Sequence, residues 1–118
     1  MKKNSLKSHK QSLIERLKTR ENIQDYLNAV IEVNPEPEIR VSMLLKALRN
    51  VVDTKFGISK ISRLTELDRT HLYNMLSESG NPTVKSLDMV LSTMGLHISI
   101  SATDLDDEPI ASGQGTRL

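Results

Sequence analysis

The chain has 118 residues, 37% of them hydrophobic, and a formal net charge of +1, which suits one domain with its own core and short appendages. It contains no cysteine, which excludes a disulfide framework and any thiolate metal site. No apolar run approaches the roughly 20 residues of a membrane span, and the basic N-terminus lacks the apolar stretch of a signal peptide, so a cytoplasmic protein is expected.

The charge is unevenly placed. Residues 1–20 carry seven Lys or Arg and one Glu, residues 21–39 five acids and no base, and residues 40–88 eight bases and five acids. A basic front and centre hint at a polyanionic partner, although solvated helix faces are the plainer reading of charge alone. The only aromatic residues are Tyr26, Phe56 and Tyr73, so the core is aliphatic, which favours packed helices.

In chain order, residues 1–10 are rich in Lys and Ser without periodicity and read as a flexible basic arm. Leu13, Ile14 and Leu17 suggest a short helix. Thr19 can cap the next one, where Ile23, Tyr26, Leu27, Val30 and Ile31 follow the spacing of an amphipathic helix. The run Asn34-Pro35-Glu36-Pro37 breaks it. A second stripe of Val41, Leu44, Leu45, Leu48, Val51 and Val52 runs to about Lys55, and Gly57 stops that helix. Ser59 is a candidate cap for a short helix carrying Ile61 and Leu64. Leu67 lies in the turn that follows, and Asp68 can cap a helix to about residue 78 carrying Leu72 and Leu76. Gly80-Asn81-Pro82 is a loop, Thr83 caps a helix with Val84, Leu87, Val90, Leu91 and Met94, and Gly95 closes it. Residues 96–101 alternate apolar and polar and predict a short half-buried strand, with Leu96, Ile98 and Ile100 toward the core. The expected organisation is a flexible arm at 1–10, a helical domain at 11–101 and a disordered tail at 102–118.

The informative stretch is the pair of short helices over 58–78. They are separated by about four residues with one apolar residue in the turn, which holds the two nearly crosswise and props the second outward on Leu72 and Leu76. The outer face of the second helix offers Arg69, Thr70, His71, Tyr73, Asn74 and Ser77. Arg bonds guanine bidentately, Asn bonds adenine, and Thr and Tyr reach phosphates or a thymine methyl. His71 reads as a phosphate contact or a surface residue, and Lys60, Arg63 and Lys85 can add phosphate contacts. An ordinary helical bundle with a solvated face shows the same periodicity, so spacing alone leaves DNA binding open.

Four segments carry a family resemblance: Gly57-Ile58-Ser59-Lys60-Ile61-Ser62, Leu67 to Ser77, Gly80-Asn81-Pro82-Thr83, and Val90 to Leu96. Together with Ser12–Lys18 and Tyr26–Glu32, they resemble the HigA-type addiction-module antidote proteins, antitoxins with a Cro/repressor-like helix-turn-helix of the XRE type, over roughly residues 10–101. The pairing of Leu72-Tyr73 with Gly80-Asn81-Pro82 is the specific part. Glu66 stands where the turn usually has Gly, and Asp68 where Ser or Asn is commoner. The resemblance implies an all-α, lambda-repressor-like bundle of about five helices. It also implies an antitoxin that neutralises a small basic RelE-like toxin and represses its own operon as a homodimer on double-stranded operator DNA. The alternative is a DNA-binding regulator with no toxin partner; the neighbouring gene separates the two.

An enzyme is not expected. His9, His71 and His97 are scattered without metal-ligand spacing, and neither a phosphate-binding Gly-rich loop nor a G-x-S-x-G elbow is present. No metal and no cofactor is expected.

Overall fold

The computed structural model describes residue 12 and residues 15–102. The basic arm, Leu13, Ile14 and the tail from residue 103 lie outside the described residues. Leu17, the remaining member of the first apolar group, is buried.

Helix α1 spans Arg20–Glu32. Thr19 caps it as expected: its Oγ1 accepts the Asn22 N–H at 3.0 Å. Ile23 and Leu27 are buried, with Tyr26 and Val30 packed beside them. At the far end Asn34 Nδ2 donates to the Val30 carbonyl at 2.7 Å, satisfying an acceptor left over by the helix. The two prolines stop α1, but the second also starts α2, which spans Pro37–Val51 with Pro37 in its first turn. Proline suits that place because its missing N–H has no helical partner there and its φ is already helical. Arg40 ties the junction by donating to the carbonyls of Asn34 and Pro35.

Helix α2 packs along α1 and buries Leu45, Ala47, Leu48 and Val51. Val41, expected in this stripe, is half exposed. The inward face begins a turn later than the hydrophobic pattern suggests, with Leu44 packed against the core and Leu45 buried. The chain then widens into a single π-turn at Val52–Phe56, closed by the Gly57 N–H donating to the Val52 carbonyl at 2.6 Å. This turn carries Val51 and Val52 into the core side by side, both fully buried.

Helix α3 spans Ile58–Thr65 and packs on α4, Arg69–Met75, and on α5, Val84–Thr93. Its cap residue is Gly57, not Ser59, which lies exposed within the first turn. Leu64, expected in the core, is about half exposed. The inward positions are Ile58, Ile61 and Thr65, and at 100° per residue Leu64 falls about a quarter-turn away from them. In α5, Thr83 is the cap, with Oγ1 accepting the Ser86 N–H at 3.0 Å. Val90 and Met94 are buried, whereas Val84, in line with Leu87 and Leu91 but in the first turn, is 75% exposed. Gly95 ends α5 at φ 78°, with the Gly95 and Leu96 N–H groups donating to the Ser92 and Leu91 carbonyls. This is a Schellman closure, and it needs a left-handed residue that glycine supplies without steric cost.

The result is an all-α helix-turn-helix bundle. The anticipated strand does not form within the chain: residues 96–102 have no strand pairing, Leu96 is half-buried, and Ile98 and Ile100 are 40% and 95% exposed. A strand needs a neighbour for its backbone groups, and the described residues offer none. Among those residues, no helix is long and apolar enough to cross a membrane.

Candidate nucleic-acid interface

The turn between α3 and α4 is held by side chains. Thr65, the one buried polar residue among the described residues, donates from Oγ1 to the Ile61 carbonyl at 2.7 Å and accepts the Leu67 N–H at 3.2 Å. Ser62 Oγ donates to the Leu67 carbonyl at 2.6 Å. Leu67 is half-buried against the core, as expected for the plug of such a turn. Glu66 takes the left-handed conformation that glycine usually supplies, at φ 65° and ψ 19°, with its N–H bonded to the Ser62 carbonyl at 2.8 Å. Its side chain is exposed. Asp68 then starts α4, with Oδ1 accepting the His71 N–H at 2.8 Å.

Helix α4 is shorter than the reading over 68–78. It ends at Met75, with Leu76 as its C-cap. The Gly80 loop explains the early stop. A Cβ at residue 80 would stand 2.2 Å from the Met75 carbonyl oxygen, so the chain doubles back onto the helix end at a distance only glycine permits. Leu72, Met75 and Leu76 are buried. Met75 joins the two expected leucines because it neighbours Leu76 and lies three residues from Leu72.

Arg69, Thr70, His71, Tyr73 and Asn74 are all exposed, and Ser77 is half-buried just beyond the helix. They do not form one uniform face. Arg69 leans toward α3, its guanidinium donating to Ser59 Oγ at 3.4 Å. Tyr73 leans toward α2, where the Arg49 guanidinium lies 4.3 Å from its ring centroid and also bonds Asp53 at 2.9 Å. His71, Asn74 and Ser77 look the other way and share an open groove of about 450 Å³ with Asn81, Thr83 and Ser86 at the start of α5. Lys60, Arg63 and Lys85 are exposed on α3 and α5, where they add positive charge beside α4 without forming an ion pair among the described residues. Glu66 and Asp68 in the turn and Glu78 after α4, which pairs with Lys46 at 3.3 Å, offset part of that charge.

The chain matches the family model described as "Probable addiction module antidote protein" over residues 7–102. The chain belongs to the addiction module antidote family. It is 30% identical over 86 residues to an uncharacterized protein of Haemophilus influenzae, covering 73% of this chain and 82% of that one. No solved structure matches it. Membership makes the protein the antitoxin of a toxin–antitoxin pair and implies a toxin partner.

In this antidote two residues join the candidate interface that the spacing did not single out. Arg49 belongs to a different helix, and its place over Tyr73 depends on how α2 packs on the rest. Ser59 reads as a cap in the sequence but serves as the acceptor for Arg69. Neither contact carries a local signal, because each joins helices that the chain brings together only on folding.

Proposed function

We propose that this antitoxin is a HigA-like repressor of the XRE type that binds operator DNA through α4 and neutralises a RelE-like toxin. The observation that carries the DNA reading is the division of α4. Its Leu72, Met75 and Leu76 side is fully committed to the core, while Arg69, Thr70, Tyr73 and Asn74 stand outward in the side-chain types that read base edges and phosphates. The start of α5 lies beside it, so the N-terminal end of that helix and the exposed Lys85 suit a phosphate flanking the groove. Lys60 and Arg63 suit the backbone on the other side. The protein acts by binding and not by catalysis. It acts as a homodimer, since one short reading helix spans only a few base pairs.

The toxin reading rests on the antidote family and on the acidic stretch at residues 21–39, which suits a basic partner. The test is twofold. Fluorescence anisotropy on DNA from upstream of the protein's own gene should show specific binding that scrambled DNA of equal length does not. Co-expression should relieve growth arrest by the product of the adjacent gene. Equal affinity for both DNAs overturns the repressor reading, and unrelieved arrest overturns the toxin reading.

A further inference from the structure

The extended segment after α5 takes no part in the proposed reading of DNA. The Leu96 N–H completes the end of α5, but no backbone group of residues 97–102 makes a hydrogen bond among the described residues. Two β-branched side chains there, Ile98 and Ile100, are 40% and 95% exposed. Exposed strand edges are ordinarily guarded by lysine, proline or a bulge against pairing with another chain. Here the guard is missing: residues 89–103 contain no Asp, Glu, Lys, Arg or Pro, and they form the longest uncharged run in the sequence. Beside the segment lies a mainly apolar groove of about 410 Å³, lined by Leu27, Ile31, Leu87 and Leu91 with Gln24 and Asn28 on its α1 side.

We infer that residues 96–101 pair antiparallel with the same residues of a second copy of this chain across a two-fold axis, and that the second copy closes the groove. Charge selects this occupant. A run without charges meets its own copy without repulsion, whereas an acidic or basic partner finds nothing complementary in it. The pattern is also self-matching, since alternate residues share a face and Ile98 and Ile100 meet apolar side chains of an identical strand. Size requires the groove as well as the strands. Six residues at about 3.3 Å each make a ladder about 20 Å long, and at about 10 Å thick its edge covers only about 200 Å², well short of the roughly 800 Å² per partner that a stable interface buries, so the helices bordering the groove must join the contact. The inference deepens the homodimer named above and rests on it, but it is tested without DNA.

The chain has no cysteine, so single cysteines report cleanly on the pairing. In an antiparallel pair about a two-fold axis, one residue faces its own copy, with Cβ atoms about 5 Å apart. A residue two places along is displaced from its copy by four residues, about 13 Å, too far for a disulfide. Each of His97, Ile98, Ser99, Ile100 and Ser101 is replaced by Cys in the full chain and oxidised. One position should cross-link in high yield, with the positions two residues away failing. Light scattering should give a two-chain mass for the unmodified protein. A one-chain mass with unchanged helical circular dichroism is expected for Ile100→Asp and for Ile98→Asp/Ile100→Asp. Ile100 is nearly fully exposed, so its substitution leaves the monomer fold intact. Ile39→Asp, at an exposed isoleucine in the first turn of α2 that does not line the groove, should keep the two-chain mass. A one-chain mass for the unmodified protein, a two-chain mass for both Asp variants, or cross-linking without a single favoured position overturns the inference. Loss of operator binding by itself leaves these readouts unchanged and bears only on the repressor reading.

Discussion

Arg69 is the first residue of α4, and its guanidinium reaches only a weak, exposed partner at Ser59. Such a side chain is easily redirected to a base. Replacing Arg69 with Ala is expected to cost on the order of 1–3 kcal/mol in specific binding if it bonds guanine bidentately. The fold should be unaffected, since the side chain is exposed and outside the buried cluster. A gel-shift titration on the cognate promoter checks this, and unchanged affinity would remove α4 as the reading helix. Glu66 is a different case. A non-glycine residue held left-handed costs about 1–2 kcal/mol, while glycine there would lose about 0.5–1 kcal/mol to the entropy of the unfolded chain. Glu66→Gly should therefore raise stability by a few tenths to about 1 kcal/mol, read from urea unfolding. A loss instead would show that the Glu66 side chain contributes something its exposure conceals.

At the scale of elements, α4 is too short to persist alone, because a helix needs about 12–15 residues before it is even marginal in water. Its seven residues are held by the Asp68 cap, by the Thr65 and Ser62 bonds across the turn, and by burial of Leu72, Met75 and Leu76. Leu76 is its C-cap and fully enclosed, so Leu76→Ala leaves a cavity at the point where α4 leans on the core. The expected cost is roughly 2–5 kcal/mol, a large part of the about 5–15 kcal/mol available to a domain of this size. Thermal unfolding checks it: a barely shifted midpoint would mean that this end of α4 is not a fixed part of the core.

At the scale of the whole molecule, the small net charge hides a division between a front and centre rich in bases and an acidic stretch along α1 and the following loop. Lys60, Arg63, Arg69 and Lys85 collect on the three helices around the turn, so binding to DNA should carry a steep salt dependence. The logarithm of the affinity should fall linearly with the logarithm of salt, with a slope of about −0.9 per phosphate contact. Lys60→Ala and Lys85→Ala should each reduce that slope by about 1 while weakening all sequences alike. An affinity that ignores salt would be incompatible with a phosphate-bound helix-turn-helix.

Much of this architecture is legible in the residues alone, because its determinants are local. The caps at Thr19, Asp68 and Thr83, the stop at Gly95 and the plug at Leu67 depend on groups within a few positions of each other, and the apolar spacing of α4 and α5 marks their inner sides wherever they pack. What the sequence leaves ambiguous is how far each stripe reaches into the core. Val41 and Val84 are apolar and spaced with their stripes yet exposed, because burial depends on where the neighbouring helix runs, not on spacing within one helix, while Leu64 lies a quarter-turn off the face that α3 turns inward. The candidate site divides in the same way. That Arg69, Tyr73 and Asn74 lie on the outside of α4 follows from its period, but that Tyr73 carries Arg49 from α2 and that Asn74 shares a groove with the start of α5 was decided by tertiary packing. Residues 96–101 show the limit from the other side. Their alternation is a property of the sequence, but a strand exists only when another strand satisfies its backbone, and no described segment of this chain provides one.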